Sequence, residues 1–422
     1  MLPPMPAPTR RRTIHLGHSI FGPPPRKPLS VVHSRPQDFP QLPRPVLDLA
    51  VVYTRASLLG PPLCRELVEL IAHVFTEEEA SVARHLGITG STSRAPARAE
   101  HRPVEEIEPI LELLSRDKGA IWAAGAGARR RYGLLPLVPG MFELIMVRQR
   151  ADTLSAWHRR YLELFEALHE TGYSQLYTRH EVPVVRFLPV NGVLPQLSSA
   201  LPTDKLEVVL DRYQSFALTE CQCRITMRSV GEGCDRPLDS CMALGSWAEA
   251  AIAQGLMRRI DQRDALALKR EAESAGCVSW VVNMASAEGQ ASCSCCGCCC
   301  HAMRWMREFD APAIFAPPHF QPRVEASRCT HCGACARCCP MGAMAVDPVR
   351  RQRWWLAERC IGCGLCALAC TRACAVQMTP VPNYRLPPES WLAFALRTAP
   401  GIARTAWDRW RERQAESSWW PR

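Results

Sequence analysis

An α+β protein of several domains is what the sequence predicts, and three stretches of it carry that expectation. Between residues 60 and 140, apolar residues recur at helical spacing and a glycine-rich hairpin follows. From 141 to 315, short β-branched runs alternate with helical ones. From 320 to 384, one cysteine spacing occurs twice, about thirty residues apart, which marks an internal duplication. At 422 residues with nearly half of them apolar, the chain is long enough for more than one core.

Residues 1–45 are rich in proline and arginine with few apolar anchors, so a disordered or extended leader is expected there. Arg10-Arg11-Arg12 loosely suggests a twin-arginine export signal. The next residues include Gly22-Pro23-Pro24-Pro25 and no apolar stretch, so export is set aside and a cytoplasmic location expected. Leu63, Leu67, Leu70, Ile71 and Val74 predict a first helix. Thr76 and Glu79 form a capping box for a second, and Pro103 opens a third that carries Val104, Ile107, Ile110, Leu111 and Leu114. Ile121-Trp122, the turn at Gly125 to Gly127 and Arg129-Arg130-Arg131 then read as a hairpin. Three helices and a hairpin are the order of a winged helix over residues 60–140. Its third helix bears Glu105, Glu106, Glu108 and Glu112, which would face phosphates, so the module is expected to dock on protein and not to read DNA.

Residues 141–315 form a mixed central domain: a helix over 154–168, an extended run at 182–187, a helix after Asp204 leading into the next cysteines, and a helix ending at 271–275 before a strand at 278–283. His158, His169 and His180 are read as surface or core residues and not as ligands. The segment 385–422 is amphipathic. Trp391, Leu392, Phe394 and Leu396 precede a break at Pro400-Gly401, and Ile402, Ala406, Trp407 and Trp410 then share one helical face. Residues 389–422 are therefore candidates for docking on protein or for peripheral membrane contact.

The duplicated run is Cys329, Cys332, Cys335, Cys339-Pro340, then Cys360, Cys363, Cys366, Cys370. Three thiolates two residues apart wrap one face of a metal–sulfur cube, and the fourth ligand must come from further away. That is the spacing of a bacterial two-cluster ferredoxin, in which the last cysteine of each run serves the other cluster. Carried over, Cys329, Cys332, Cys335 and Cys370 hold one [4Fe-4S] cluster, and Cys360, Cys363, Cys366 and Cys339 the second. Cys332-Gly333-Ala334-Cys335 matches Cys363-Gly364-Leu365-Cys366, whereas Cys370 is followed by Thr371 where the first run has a proline. Zinc is the alternative, but structural zinc uses two pairs and not two triplets with distant fourth partners. Cys338, Cys374, Cys64 and Cys277 are expected to pack without a ligand role.

A second cysteine field lies upstream: Cys221, Cys223, Cys234 and Cys241, then Cys293, Cys295, Cys296, Cys298, Cys299 and Cys300. Thiols so dense either oxidise together or share metal, and adjacent ones cannot all point at one ion. Two readings stay open: a third iron–sulfur cluster, with Cys221, Cys223, Cys234 and Cys241 as one ligand set and Cys293, Cys295, Cys296, Cys299 and Cys300 as additional or replacement ligands, or a structural zinc site. Arg224 beside the first pair is a candidate for stabilising thiolates or donating to a cluster sulfur, with a surface ion pair as the default reading.

Glu220-Cys-Gln-Cys-Arg224, Gly231 to Pro237 with Cys241, Ser292 to Cys300 and the dicluster run together resemble a family of cytoplasmic 4Fe-4S dicluster-containing proteins of anaerobic microbes. The resemblance covers roughly residues 60–380 and includes the winged-helix-like region and the Val182 to Arg186 segment. It implies iron–sulfur cofactors more than a particular reaction.

Charge and missing motifs narrow the function further. The formal charge of +10 is concentrated at the ends: seven Lys or Arg against Asp38 in residues 1–45, and seven Arg against four acids in 385–422. The body is close to neutral, which argues against a broad nucleic-acid surface. A Walker loop and a dinucleotide fingerprint are absent from the sequence. The expected function is one-electron transfer to or from a redox protein or enzyme. The alternatives are an oxidoreductase acting on a disulfide or small substrate at the cysteine field, and a redox-sensing winged-helix regulator.

Overall fold

The computed structural model describes residues 26–177, 180–285, 289–311 and 314–417. Its described residues fall into two compact units, one built from residues 28–177 and 405–417, the other from 26–27 and 180–404. Helices and sheets are mixed, as an α+β chain requires.

The first unit is mainly helical: α1 (Arg44–Tyr53), α2 (Arg65–Val74), α3 (Glu77–Ala83), α4 (Arg94–Glu100), α5 (Val104–Glu112), the hairpin β1 (Ile121–Ala124) and β2 (Arg131–Leu134), α6 (Phe142–Met146) and α7 (Ala156–Glu170). Helix α2 starts two residues after Leu63 and buries Leu67, Leu70, Ile71 and Val74 completely, the stripe its spacing predicts. The capping box at α3 forms in both directions: the Glu79 N–H donates to Thr76 Oγ1 at 3.3 Å and the Thr76 N–H to Glu79 Oε2 at 2.8 Å. Helices α1 and α4 are additions to the sequence reading. Part of the expected leader can be followed. Its residues 1–25 lie outside the described residues, but from Pro28 the chain is anchored, with the Ser30 N–H on Thr171 O and the Ser34 N–H on Leu63 O.

The second unit contains β3 (Val185–Phe187), α8 (Leu206–Leu210), β4 (Phe216–Glu220), α9 (Gln222–Ser229), β5 (Asp239–Gly245), α10 (Ser246–Ala253), β6 (Arg258–Ile260), α11 (Gln262–Ser274), β7 (Val278–Val282), β8 (Gly289–Cys295), α12 (His301–Phe309), β9 (Phe320–Val324), α13 (Ala334–Cys338), β10 (Met344–Asp347), β11 (Gln352–Trp355), α14 (Leu365–Leu368) and β12 (Val376–Pro380). Six strands make one antiparallel sheet in the order β3-β7-β8-β5-β4-β6. A strand, β4, and not the expected helix leads into Cys221, because the helix after Asp204 ends at Leu210.

The sheet's pleat sorts its residues by parity. Phe216, Leu218, Met242, Leu244 and Val281 lie on one face and pack with Ala265 of α11 and with α8. Cys293 and Cys295, with Trp280 and Val278 opposite them in register, lie on the other face. That face is continuous with a core shared by α12 and the C-terminal cysteine module.

Helix α15 (Trp391–Ser417) runs on without the break expected at Pro400-Gly401. A proline removes one N–H bond, which 27 residues of helix can absorb. Leu392, Leu396, Ile402, Trp407 and Trp410 remain exposed, so the apolar face expected to dock is uncovered in this chain. Among the described residues, no helix is long and apolar enough to cross a membrane.

Candidate metal centres

The duplicated module repeats its backbone as well as its sequence. Gly333 (φ 75°) and Gly364 (φ 82°) each occupy the residue before a short helix, α13 and α14, in the left-handed region that glycine enters without a Cβ penalty. The second turn sets the three cysteines of its run, Cys360, Cys363 and Cys366, around one concavity. Strands β9 and β12 pair at one end of the duplication, and β10 pairs with β11 between the runs.

The fourth cysteine of the first run crosses to the second. Cys339 lines one small cavity together with Cys360, Cys363 and Cys366, and the remaining walls are Pro322, Met341, Met344, Ile361 and other apolar residues. In the complementary set, the groups acting on Cys335 are Cys329, Cys370 and Cys332. Backbone donors reach both crossing thiols: the Ala343 N–H lies 3.2 Å from Cys339 Sγ, and the Ala375 N–H 3.3 Å from Cys370 Sγ. The second loop takes one residue more to place its donor. That extra residue is how a loop without the first run's proline arrives at a similar contact.

The two sets differ in exposure. Cys332 is exposed and Cys329, Cys335 and Cys370 are partly so, whereas Cys363 and Cys366 are buried. Burial pushes the Cys363 and Cys366 thiols well above their ordinary range. Four sulfurs in an apolar cavity hold their protons unless a thiophilic metal replaces them, so the donor set fits a metal centre. Cys338 and Cys374 turn aside, their thiols donating to Cys335 O and Thr371 O. Cys64 fills the core of the first unit.

The upstream field divides into two groups, along a line different from the expected one. Cys234, Cys296, Cys298 and Cys299 have all four sulfurs within 4.8 Å of one another. Cys234 and Cys296 are 3.8 Å apart, Cys299 and Cys234 3.6 Å, and Cys299 and Cys298 3.8 Å. Cys234 therefore leaves the set it was expected to share with Cys221, Cys223 and Cys241. Cys298, which the sequence reading left outside its ligand sets, joins instead.

The other six thiols form a closed ring. Cys221 has Cys223 and Cys241 as neighbours, Cys223 has Cys300, Cys300 has Cys295, Cys295 has Cys293, and Cys293 has Cys241. Secondary structure explains each place. Strand register sets Cys241 opposite Cys293, and the two-residue period puts Cys295 on the same face as Cys293. Cys221 caps the N-terminus of α9 and Cys300 that of α12, where the helix dipole favours thiolate. The Trp280 indole N–H reaches Cys295 Sγ at 3.0 Å.

Arg224, expected at the surface, is 0% exposed. Its guanidinium donates to Ser240 Oγ at 2.7 Å, Ser294 O at 2.6 Å and Cys277 Sγ at 3.1 Å. Burial alone would ease its proton off, but the sulfurs of Cys221, Cys296 and Cys277 outweigh that and keep it charged. Cys277 is thus a buried partner of this arginine as well as a core residue. His158 bonds Ser155 and His169 is buried, both in α7 of the first unit, whereas the two cysteine fields belong to the second.

Residues 321–375 match the family described as 4Fe-4S dicluster domain. No curated protein and no solved structure shows significant similarity to the chain. The C-terminal module is accordingly a place for [4Fe-4S] clusters, and upstream of it Cys234, Cys296, Cys298 and Cys299 offer four converging ligand atoms to a metal ion.

Proposed function

We propose that the protein is an iron–sulfur electron carrier whose C-terminal module holds two cross-ligated [4Fe-4S] clusters. Cys329, Cys332, Cys335 and Cys370 hold the outer one; Cys360, Cys363, Cys366 and Cys339 hold the inner one. The observation that carries this is the convergence of Cys339 with the second run's three cysteines in one apolar cavity. The clusters supply one-electron chemistry when bound. The chain tunes them, through backbone N–H groups on the crossing thiols and through burial that differs between the two sets.

The exposure gradient supports an order of transfer. A redox partner exchanges electrons at the face that carries Cys332, and the buried set passes them inward to the upstream thiol field, whose Cys295 and Cys300 share a core with Cys363 and Cys366. Anaerobic iron and sulfide analysis with EPR tests the reading. About eight irons in the C-terminal module, with two interacting spin-half signals on reduction, is the expected result. Purified material that is colourless and carries zinc in both runs overturns it.

The first unit is read as a docking module. In it the hairpin of β1 and β2 follows α5, with Ser91 bridged to Tyr132, and α4 intervenes between the second and third helices of the expected winged-helix order. The charges that would favour DNA are spent internally: Arg130 pairs with Glu112, and Arg131 donates to Gly90 O. Glu105, Glu106 and Glu108 stay exposed on α5, so a basic protein surface suits this module better than phosphate.

A further inference from the structure

We infer that the ten upstream thiols serve two centres of different kind. Cys234, Cys296, Cys298 and Cys299 hold a single zinc ion, and the ring of Cys221, Cys223, Cys241, Cys293, Cys295 and Cys300 holds one polynuclear iron–sulfur cluster. The inference deepens the electron-carrier reading and rests on it, since the ring would be a further station for the same electrons.

Sulfur spacing separates the two centres. Around one zinc ion with Zn–S bonds of about 2.3 Å, tetrahedral ligand sulfurs lie about 3.8 Å apart. The 3.6 and 3.8 Å separations in the four-thiol group are of that size. Thiolates bound at the corners of a [4Fe-4S] cube stand much further apart, roughly 6 Å, because the cube lies between them. The chain contains its own comparison. Among the described residues, the four-thiol group is the one place where three or more ligand atoms converge within 4.8 Å. Neither ferredoxin set does so, and no three sulfurs of the ring do. The ring thus resembles the cluster sites in its spread and the zinc site in its sulfur content.

Charge points the same way. Lys269 is 1% exposed, and its Nζ has no hydrogen-bond partner among the described residues. The thiols whose charge acts on it are Cys293, Cys295, Cys241 and Cys277. With buried Arg224 acting on Cys221, two buried cations accompany the ring. A set of protonated thiols leaves a buried ammonium without a counter-charge, whereas a thiolate-bound anionic cluster provides one. Zinc entry expels the protons of its four thiols; the ring's cluster is assembled from externally supplied inorganic sulfide and mixed-valence iron, and its ligation expels the ring's thiol protons in the same way.

Trp280 and Gly297 supply the supporting shell. The first donates to a ring sulfur. The second lets the Cys296–Cys298 turn lie against the Pro340 carbonyl, beside the crossing ligand Cys339.

The test is metal stoichiometry on the full chain, reconstituted anaerobically with iron and sulfide and assayed for iron, labile sulfide and zinc. Wild type is expected to hold about twelve irons or more and about one zinc, with X-ray absorption showing four sulfurs around zinc and no second zinc nearby. Cys241→Ser/Cys293→Ser should lose the irons beyond eight and keep zinc and both ferredoxin signals. Cys296→Ser/Cys298→Ser should lose zinc and keep the irons. Wild type with only about eight irons, a zinc–zinc vector, or zinc lost on mutating the ring overturns the inference and leaves the carrier reading intact. Absence of the ferredoxin signals themselves sinks the carrier reading instead. Should a ring variant fail to fold, the wild-type counts and the zinc spectrum still decide.

Discussion

Gly297→Ala is the sharpest perturbation the structure offers. An ideal Cβ at this position lies 1.7 Å from the Pro340 carbonyl oxygen and 2.7 Å from its carbonyl carbon. Side-chain carbons do not approach other atoms within 3.0 Å, so the two backbones must part by more than about 1 Å. Neither can yield by rotating a side chain, because both contacts are main chain. Pro340 follows Cys339, whose sulfur must stay within about 0.2 Å of its bonded position to keep iron. Cys296 and Cys298 flank the glycine, so the same movement strains the four-thiol group. The variant should be destabilised by about 1–3 kcal/mol, the usual penalty for overpacking. It should also lose part of its iron, the inner ferredoxin signal first, and part of its zinc. Gly87→Ala is the control, since an added Cβ there meets only Thr89 Oγ1 at 4.0 Å. EPR of the reduced protein with iron and zinc analysis reads both outcomes. If Gly297→Ala keeps both ferredoxin signals, unshifted potentials and full zinc, the close approach of the two cysteine loops is refuted.

Four further outcomes are expected. Cys339→Ser should perturb the cluster held by Cys360, Cys363 and Cys366, and Cys370→Ser the cluster held by Cys329, Cys332 and Cys335; EPR that ties each change to its own run instead would remove the cross-ligation. Trp280→Phe deletes the donor on Cys295, so a cluster there should become harder to reduce by on the order of 40 mV, equivalent to about 1 kcal/mol, in a potentiometric titration. Burial raises the Glu112 carboxyl, but bonds from Tyr132 and Arg130 outweigh this and hold it below its ordinary range, so its stabilisation is complete above about pH 4.5 and lost as pH falls further. Glu112→Gln should therefore cost the first unit about 1 kcal/mol at pH 7 and progressively less as pH falls below about 4.5, read as the urea midpoint by pulsed hydrogen exchange at residues 121–134. If the exposed Trp407 and Trp410 face rests on membranes, liposome flotation should fall on removing residues 389–422; equal partitioning of both forms removes that idea.

The range of each interaction decided which features could be read from the chain. The ferredoxin runs were legible because their ligands are local, Cys-x-x-Cys turns closed by glycines in left-handed conformation. The α2 stripe and the α3 capping box were legible for the same reason. The division of the upstream thiols was not, because Cys241 meets Cys293 only through the register of β5 on β8, and no local spacing encodes a register. Arg224 misled for a related reason: an arginine beside cysteines looks solvated until β5, β8 and the turn at Cys277 close over it. Helix α4 escaped notice because its seven residues bury only Pro96 and Ala97, too few to show a period.

The remaining step concerns why the thiol field and the ferredoxin module occur in one chain. Electron transfer between centres needs them close and shielded from water, and the second unit meets both needs with one core. Cys295 and Cys300 of the ring are buried in the same cluster of side chains as Cys363 and Cys366 of the inner ferredoxin set, with Met303, Met306 and Met341 filling the space between elements. The Cys335 and Cys370 side of the outer set packs against that core from its edge, while Cys332 reaches solvent. A chain in which these centres acted separately would have no reason to press Gly297 onto Pro340 at the cost of admitting no larger residue there. On the function proposed above, this close packing gives one electron path, entered at the outer ferredoxin set and ending at the six-thiol ring, with the four-thiol group holding the turn that lies against Pro340.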